Sequence, residues 1–133
     1  MTYVLDASIL SDYVIGGDVG RKARPYLTSA SLDLHIPHLC VIETVSALRG
    51  LAIGGKISDD RARLALTNLA DFPAKRWPQD LLLPRIWELR GAVTSYDATY
   101  VALAEVLEAT LLTHDARLVK GASAMARCEI LLL

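Results

Sequence analysis

The sequence predicts an α/β domain of three-layer α/β/α type, with a central, mostly parallel sheet of four to five short strands. Short apolar runs at 3–5, 33–36, 74–77, 109–113 and 128–133 alternate along the chain with stretches of helical periodicity. That order argues parallel pairing through right-handed crossovers. The runs are nearly all apolar rather than alternating, as strands covered on both faces require. At 133 residues the chain reads as one domain, 1–133, long enough to bury a proper core. A hydrophobic content of 53% with 22% charged residues excludes a disordered chain.

The elements follow in order. Tyr3-Val4-Leu5 is a buried strand ending at Asp6. Residues 8–15 are a helix whose apolar stripe is Ile9, Leu10, Tyr13 and Val14, stopped by Gly16-Gly17. Asp18 is placed to cap a second helix over 19–30, with Pro25 as an internal kink or late start. Residues 33–36 are a strand closed by Pro37, and residues 39–54 a helix ended by Gly54-Gly55. Ser58 caps an amphipathic helix reaching Asp71. A weak strand at 74–77 precedes a helix over about 80–94, opened by Pro78 and Asp80. The helix over 96–108 is apolar on more than one face, which predicts burial on both sides. Strands at 109–113 and 128–133 complete the chain.

The acids carry the chemistry. Asp6 ends the first strand, Asp115 lies just past the fourth, and Asp97 sits in the first turn of the buried helix. Glu43 lies one turn into the helix after the second strand. Ligands of open parallel sheets gather at the carboxyl ends of the strands, near the switch in strand order, and all four acids map to that edge. Each alone could be a helix cap. Together in a half-buried crevice they must either protonate or bind cations, and an all-oxygen set selects hard ions, Mg²⁺ or Mn²⁺. Such ions deprotonate water and stabilise a leaving phosphate oxygen. Ser8 and Thr113 are supporting hydroxyls or plain caps.

The net charge of −1 argues against a nucleic-acid binder held by bulk positive charge. With the four acids set aside at a cation site, the remainder becomes +3. Arg21, Lys22 and Arg24 on one helix, and Arg85 and Arg90 on another, are candidate phosphate contacts or ordinary solvated faces. Trp77, Trp87 and Tyr96 are candidates for stacking on bases, with packing the alternative for both tryptophans. His35 and His38 flank Pro37 in packing or turn roles, and His114 reads as an exposed loop residue. Cys40 and Cys128 lack metal-ligand spacing and read as buried thiols of a reducing cytoplasm. No apolar run reaches the ~18 residues of a membrane span, and the amino terminus lacks the basic start of a signal peptide.

Val4-Leu5-Asp6-Ala7-Ser8, Pro37-His38 with Glu43, the run from Tyr96 to Glu105, and Leu112 to Leu118 resemble the PIN domain. Within it they are similar to the VapC-type toxins of bacterial toxin–antitoxin pairs. The order and spacing of the segments carry the resemblance, which covers essentially the whole chain. It implies a three-layer α/β/α fold and a Mg²⁺- or Mn²⁺-dependent endoribonuclease acting in the cytoplasm. Asp6, Glu43, Asp97 and Asp115 match the family's metal-binding and catalytic acids; Ser8 and Thr113 match hydroxyls beside the first and last of them. The resemblance also implies a homodimer and a VapB-type antitoxin wrapped around a groove near the first helices. Leu10, Tyr13 and Val14 are candidate antitoxin contacts, with the core as the alternative.

Two other classes stay in view. A phosphoryl-handling domain clusters acids similarly, but a phosphatase of the haloacid-dehalogenase type wants a second Asp where Ser8 stands. A receiver wants its Asp where Lys75-Arg76-Trp77 stand. A non-catalytic RNA-binding or protein-interaction module has no need of four mutually repelling carboxylates.

Overall fold

Thr2–Leu5 forms β1 because three of its four side chains are buried, leaving no solvent face for a helix to exploit. In the computed structural model, which describes residues 1–29 and 31–133, β1 lies at the centre of a five-stranded sheet. The other strands are β2 (Asp33–Pro37), β3 (Lys75–Trp77), β4 (Thr110–Thr113) and β5 (Ile130–Leu132), in the order β3-β2-β1-β4-β5. Every pairing is parallel. The chain winds outward from β1 through β2 to β3, then returns to place β4 on the other side of β1. The switch in strand order therefore falls between β1 and β4, where an open α/β sheet forms its crevice.

The helices are α1 (Ala7–Ile15), α2 (Asp18–Ala23), α3 (His38–Ile53), α4 (Asp59–Asp71), α5 (Leu83–Glu88), α6 (Ser95–Val106) and α7 (Ala116–Ala122). Helices α1 to α4 pack on one another, while α6 lies across β1, β2 and β4 with α5 and α7 against it. This is the three-layer α/β/α arrangement. Helix α6 buries seven consecutive residues, Ala98–Ala104, so both its sides are covered as its composition predicts.

Several boundaries differ from expectation for local reasons. The second helix stops at Ala23, and Pro25 sits at the start of a 3-10 turn over Arg24–Tyr26, so it opens a new turn rather than kinking an old one. The expected end of that helix, residue 30, lies outside the described residues. Gly17, not Asp18, is the N-cap of α2; Asp18 occupies the first turn. The expected helix over 80–94 is a 3-10 turn at Asp80–Leu82 followed by the six-residue α5, because Pro84 withholds a backbone donor and restarts the helix at Leu83. Helix α7 carries no periodic signal in the sequence. It is short, buries only Leu118 and Ala122, and depends on Asp115 as its cap.

Candidate active site at the strand switch point

Asp6 leaves β1 directly into the crevice and caps α1, accepting the Ile9 N–H at 3.2 Å. It is 4% exposed. The Ser8 hydroxyl donates to its Oδ1 and the Thr113 hydroxyl to its Oδ2, each at 2.5 Å. These hydroxyls also knit the two central strands together. Thr113 Oγ1 accepts the Asp115 N–H at 2.9 Å, and Ser8 Oγ accepts the His114 N–H at 2.9 Å. Burial holds the Asp6 carboxyl above the usual carboxylate range, with the two hydroxyls working in the opposite direction.

The other acids arrive from three helices. Asp115 spends Oδ1 on the N–H groups of Arg117 and Leu118, at the start of α7. Asp97 stands in the first turn of α6, where Thr94 caps the helix by accepting the Asp97 N–H. Burial raises the Asp97 carboxyl, the charges of Asp115 and Asp6 raise it further, and Thr94 and Arg117 oppose them. Glu43, on α3, accepts the Tyr100 hydroxyl at Oε1. Its carboxyl is raised by burial and then by Asp97, against the lowering effect of Tyr100. Asp6, Glu43 and Asp115 each act on, or are acted on by, Asp97, so the four predicted acids share one electrostatic neighbourhood.

Among the described residues, no three acids, imidazoles or thiols converge tightly enough to enclose a cation by themselves. The donor set still fits Mg²⁺ or Mn²⁺. Mg²⁺ keeps several waters and binds proteins through one or two carboxylates. Glu43 Oε2 and Asp115 Oδ2 accept no hydrogen bond among the described residues, which leaves both oxygens open to a cation.

The predicted basic residues divide. Arg90 lines a depression of about 530 Å³ together with Thr94, Asp97, Asp115 and Arg117, and its guanidinium stacks on the exposed Trp87 ring, 4.6 Å from the centroid. Arg117 is a crevice residue that the sequence alone does not single out. It lies two residues past Asp115, but neither a basic run nor a periodic pattern marks it. Arg85 is not at the crevice. It forms an ion pair with Glu105 at 2.8 Å and donates to the Met125 carbonyl, pinning α5 to α6 two turns beyond Asp97. Arg21 and Arg24 line a different depression, of about 390 Å³, with Tyr13, Val14 and Phe72. Arg21 there pairs with Asp18.

The apolar stripe of α1 divides too. Leu10 is fully buried and belongs to the core, so it offers no surface to a partner. Val14 is 5% exposed, and Tyr13 is half-buried with its ring edge-on to Phe72. Of the other singled-out residues, Trp77 donates its indole N–H to His35 Nδ1 at 2.9 Å, a packing role for both. Cys40 is buried, and Cys128 only half-buried.

The family model of the PIN domain matches residues 3–123. The chain belongs to the PIN-domain family. That membership sets aside the receiver and phosphatase alternatives. Among PIN-domain relatives, Ribonuclease VapC1 of Mycobacterium tuberculosis is 37% identical over 131 residues, covering 98% of this chain and 96% of the relative. VapC ribonuclease Mb0985 of Mycobacterium bovis is 41% identical over 101 residues, or 76% of this chain and 78% of the relative. The chain thus belongs with the VapC group of the PIN family. The crystal structure of PAE2754 from Pyrobaculum aerophilum superposes with a TM-score of 0.70 at 25% identity, covering 98% of this chain and 83% of that one. A chain of the Rickettsia felis VapBC2 complex bound to a promoter DNA fragment gives 0.71 at 13% identity, covering 100% and 99%, a likeness of fold.

Proposed function

We propose that this PIN domain is a Mg²⁺- or Mn²⁺-dependent endoribonuclease and the toxin of a toxin–antitoxin pair. The observation that carries the reading is the gathering of Asp6, Glu43, Asp97 and Asp115 at the switch between β1 and β4, in a chain whose relatives are named ribonucleases. Bound there, the metal would supply an activated water and charge stabilisation for the leaving oxygen. Asp97, Asp115 and Glu43 would hold it through their unspent oxygens. Asp6, fastened by Ser8 and Thr113, sets the negative field at the floor of the crevice and keeps the strand ends in register. Arg90 and Arg117 would grip phosphates flanking the scissile bond, which orients it without reading sequence.

The partners follow from the same reading. The depression lined by Tyr13, Val14, Arg21, Arg24 and Phe72 is the proposed seat of the antitoxin, in place of the wider stripe that included Leu10. Homodimerisation is proposed from the family resemblance, and light scattering of the purified toxin tests it. No helix among the described residues is long and apolar enough to cross a membrane, which accords with a proposed cytoplasmic site of action.

The test is cleavage of total bacterial RNA by purified protein with Mg²⁺, with Mn²⁺, with EDTA, and with Asp97→Asn. Discrete metal-dependent fragments that vanish in the variant are expected. Equal cleavage in EDTA, or by the variant, would overturn the mechanism.

A further inference from the structure

Tyr100 reads in the sequence as one more apolar residue of α6, and its ring is indeed 2% exposed. A phenylalanine would fill that volume equally well. What a phenylalanine could not do is donate the hydrogen bond from the Tyr100 hydroxyl to Glu43 Oε1, which spans 57 residues of chain and joins α6 to α3. Among the described residues, that is the one hydrogen bond Glu43's carboxylate accepts. Glu43 stands on a helix face that is not fully buried, and a glutamate there has three rotatable side-chain bonds and a neighbouring charge, Asp97, that repels it. Left alone, such a side chain would swing toward solvent.

The placement of the tether is also informative. Tyr100 lies three residues after Asp97 on the same helix, so the two project from neighbouring positions one turn apart. The element that presents Asp97 thereby also fixes the distance at which Glu43 is held from it. The bond occupies Oε1 and leaves Oε2 free. Carboxylates that ligate metals are themselves hydrogen-bonded by supporting groups, and here the donor takes one oxygen and leaves the other for the ion.

We infer that Tyr100 is a positioning residue for the acidic site: its buried hydroxyl holds the Glu43 carboxylate beside Asp97, with Oε2 presented for a divalent cation. The inference rests on the metal-dependent reading of the site. Tyr100 touches neither substrate nor metal, and acts only through Glu43.

Mn²⁺ binding to the full chain, followed by calorimetry without RNA, tests this independently of catalysis. Tyr100→Phe removes one oxygen and leaves the ring packed. It is expected to weaken Mn²⁺ binding by about tenfold or more, as loss of a ligand's supporting hydrogen bond commonly does. In a Glu43→Ala background the same change should cost nothing further, because the group it acts through is already lost. Tyr100→Phe binding like the parent would overturn the inference while leaving the metal site standing. An equal loss in both backgrounds would overturn it as well, since Tyr100 would then be acting through packing. A parent protein that binds no Mn²⁺ would overturn the metal-dependent reading itself and this inference with it. Melting in EDTA establishes that each variant is folded. If Tyr100→Phe is not, Glu43→Asp withdraws the carboxylate from the phenol by one methylene; undiminished Mn²⁺ affinity in that variant would equally overturn the role.

Discussion

Thr113→Val is the sharpest perturbation of the crevice. Val keeps the shape and β-branching of Thr, so strand geometry and packing survive at this fully buried position. What disappears is an oxygen with two tasks: it donates to Asp6 Oδ2 and accepts the Asp115 N–H. The Asp6 carboxylate is buried and cannot turn to water for a substitute, and a lost bond to such a group costs about 1.5–3 kcal/mol. The Asp115 N–H belongs to a half-buried residue, and solvent recovers part of its loss. We expect a total of about 2.5 kcal/mol. With an unfolding entropy of about 0.28 kcal/mol per kelvin for 133 residues, that lowers Tm by about 9 °C. Thermal melts in EDTA isolate the effect from metal binding. Thr113→Ser restores the hydroxyl at the cost of one methyl and should recover most of the loss. If Val and Ser melt together, within about 2 °C of the parent, the hydroxyl bridge is not holding the strand ends and the reasoning is refuted.

Asp97→Asn should abolish metal-dependent cleavage yet raise the melting temperature of metal-free protein slightly. It removes a charge that Asp115 and Asp6 repel, and partial exposure limits the gain to about 1 kcal/mol or less. The pH dependence of metal-free stability follows from Asp6, Glu43 and Asp97, whose carboxyls are all raised in the folded state. Their contribution is fully present below the ordinary carboxylate range and is lost as pH rises through the raised folded values. Urea midpoints in EDTA should fall over that interval, and Mg²⁺ should stabilise more at neutral pH than in acid, where protons compete for the same carboxylates. Gly20→Ala should destabilise by about 1–3 kcal/mol in chemical denaturation, because the new methyl would meet Tyr13 Cα at 2.5 Å and Tyr13 N at 2.7 Å, both backbone atoms. Alkylation at neutral pH should be slow at both cysteines and slower at Cys40, where burial pushes the thiol up to about 12 against about 11 for Cys128.

The fold was legible wherever one signal dominated. Val4, Leu5, Leu111 and Leu112 are wholly buried strand residues, and an uninterrupted apolar run announces them. Alternation of strand and helix implies parallel pairing, and a shared carboxyl edge of the sheet brings Asp6 and Asp115 together. Where two weak signals competed, the reading slipped. Pro84 and Pro25 each restart the backbone instead of merely bending it, and α7 has too few buried positions to show a period. Asp6 and Asp115 were legible because charge at the end of an apolar strand is conspicuous, and Asp97 and Glu43 because each falls early in a helix that starts near the same edge. Tyr100 and Thr94 were not, because one serves through a single oxygen on a core ring and the other through a cap. Arg85 misled for the opposite reason: a lone arginine on a helix looks free until Glu105, 20 residues later, is found against it.

The long enclosed middle of α6 also bears on engineering. Because α6 is enclosed along seven successive residues, Ala98–Ala104, side chains there cannot be exchanged without disturbing the core. Arg90 and Arg117, which line the depression beside Asp97, are both exposed. Engineering a new target preference therefore has a natural division of labour. A library confined to those two positions would sample different grips on the nucleic acid while every member keeps the same folded scaffold and the same four acids.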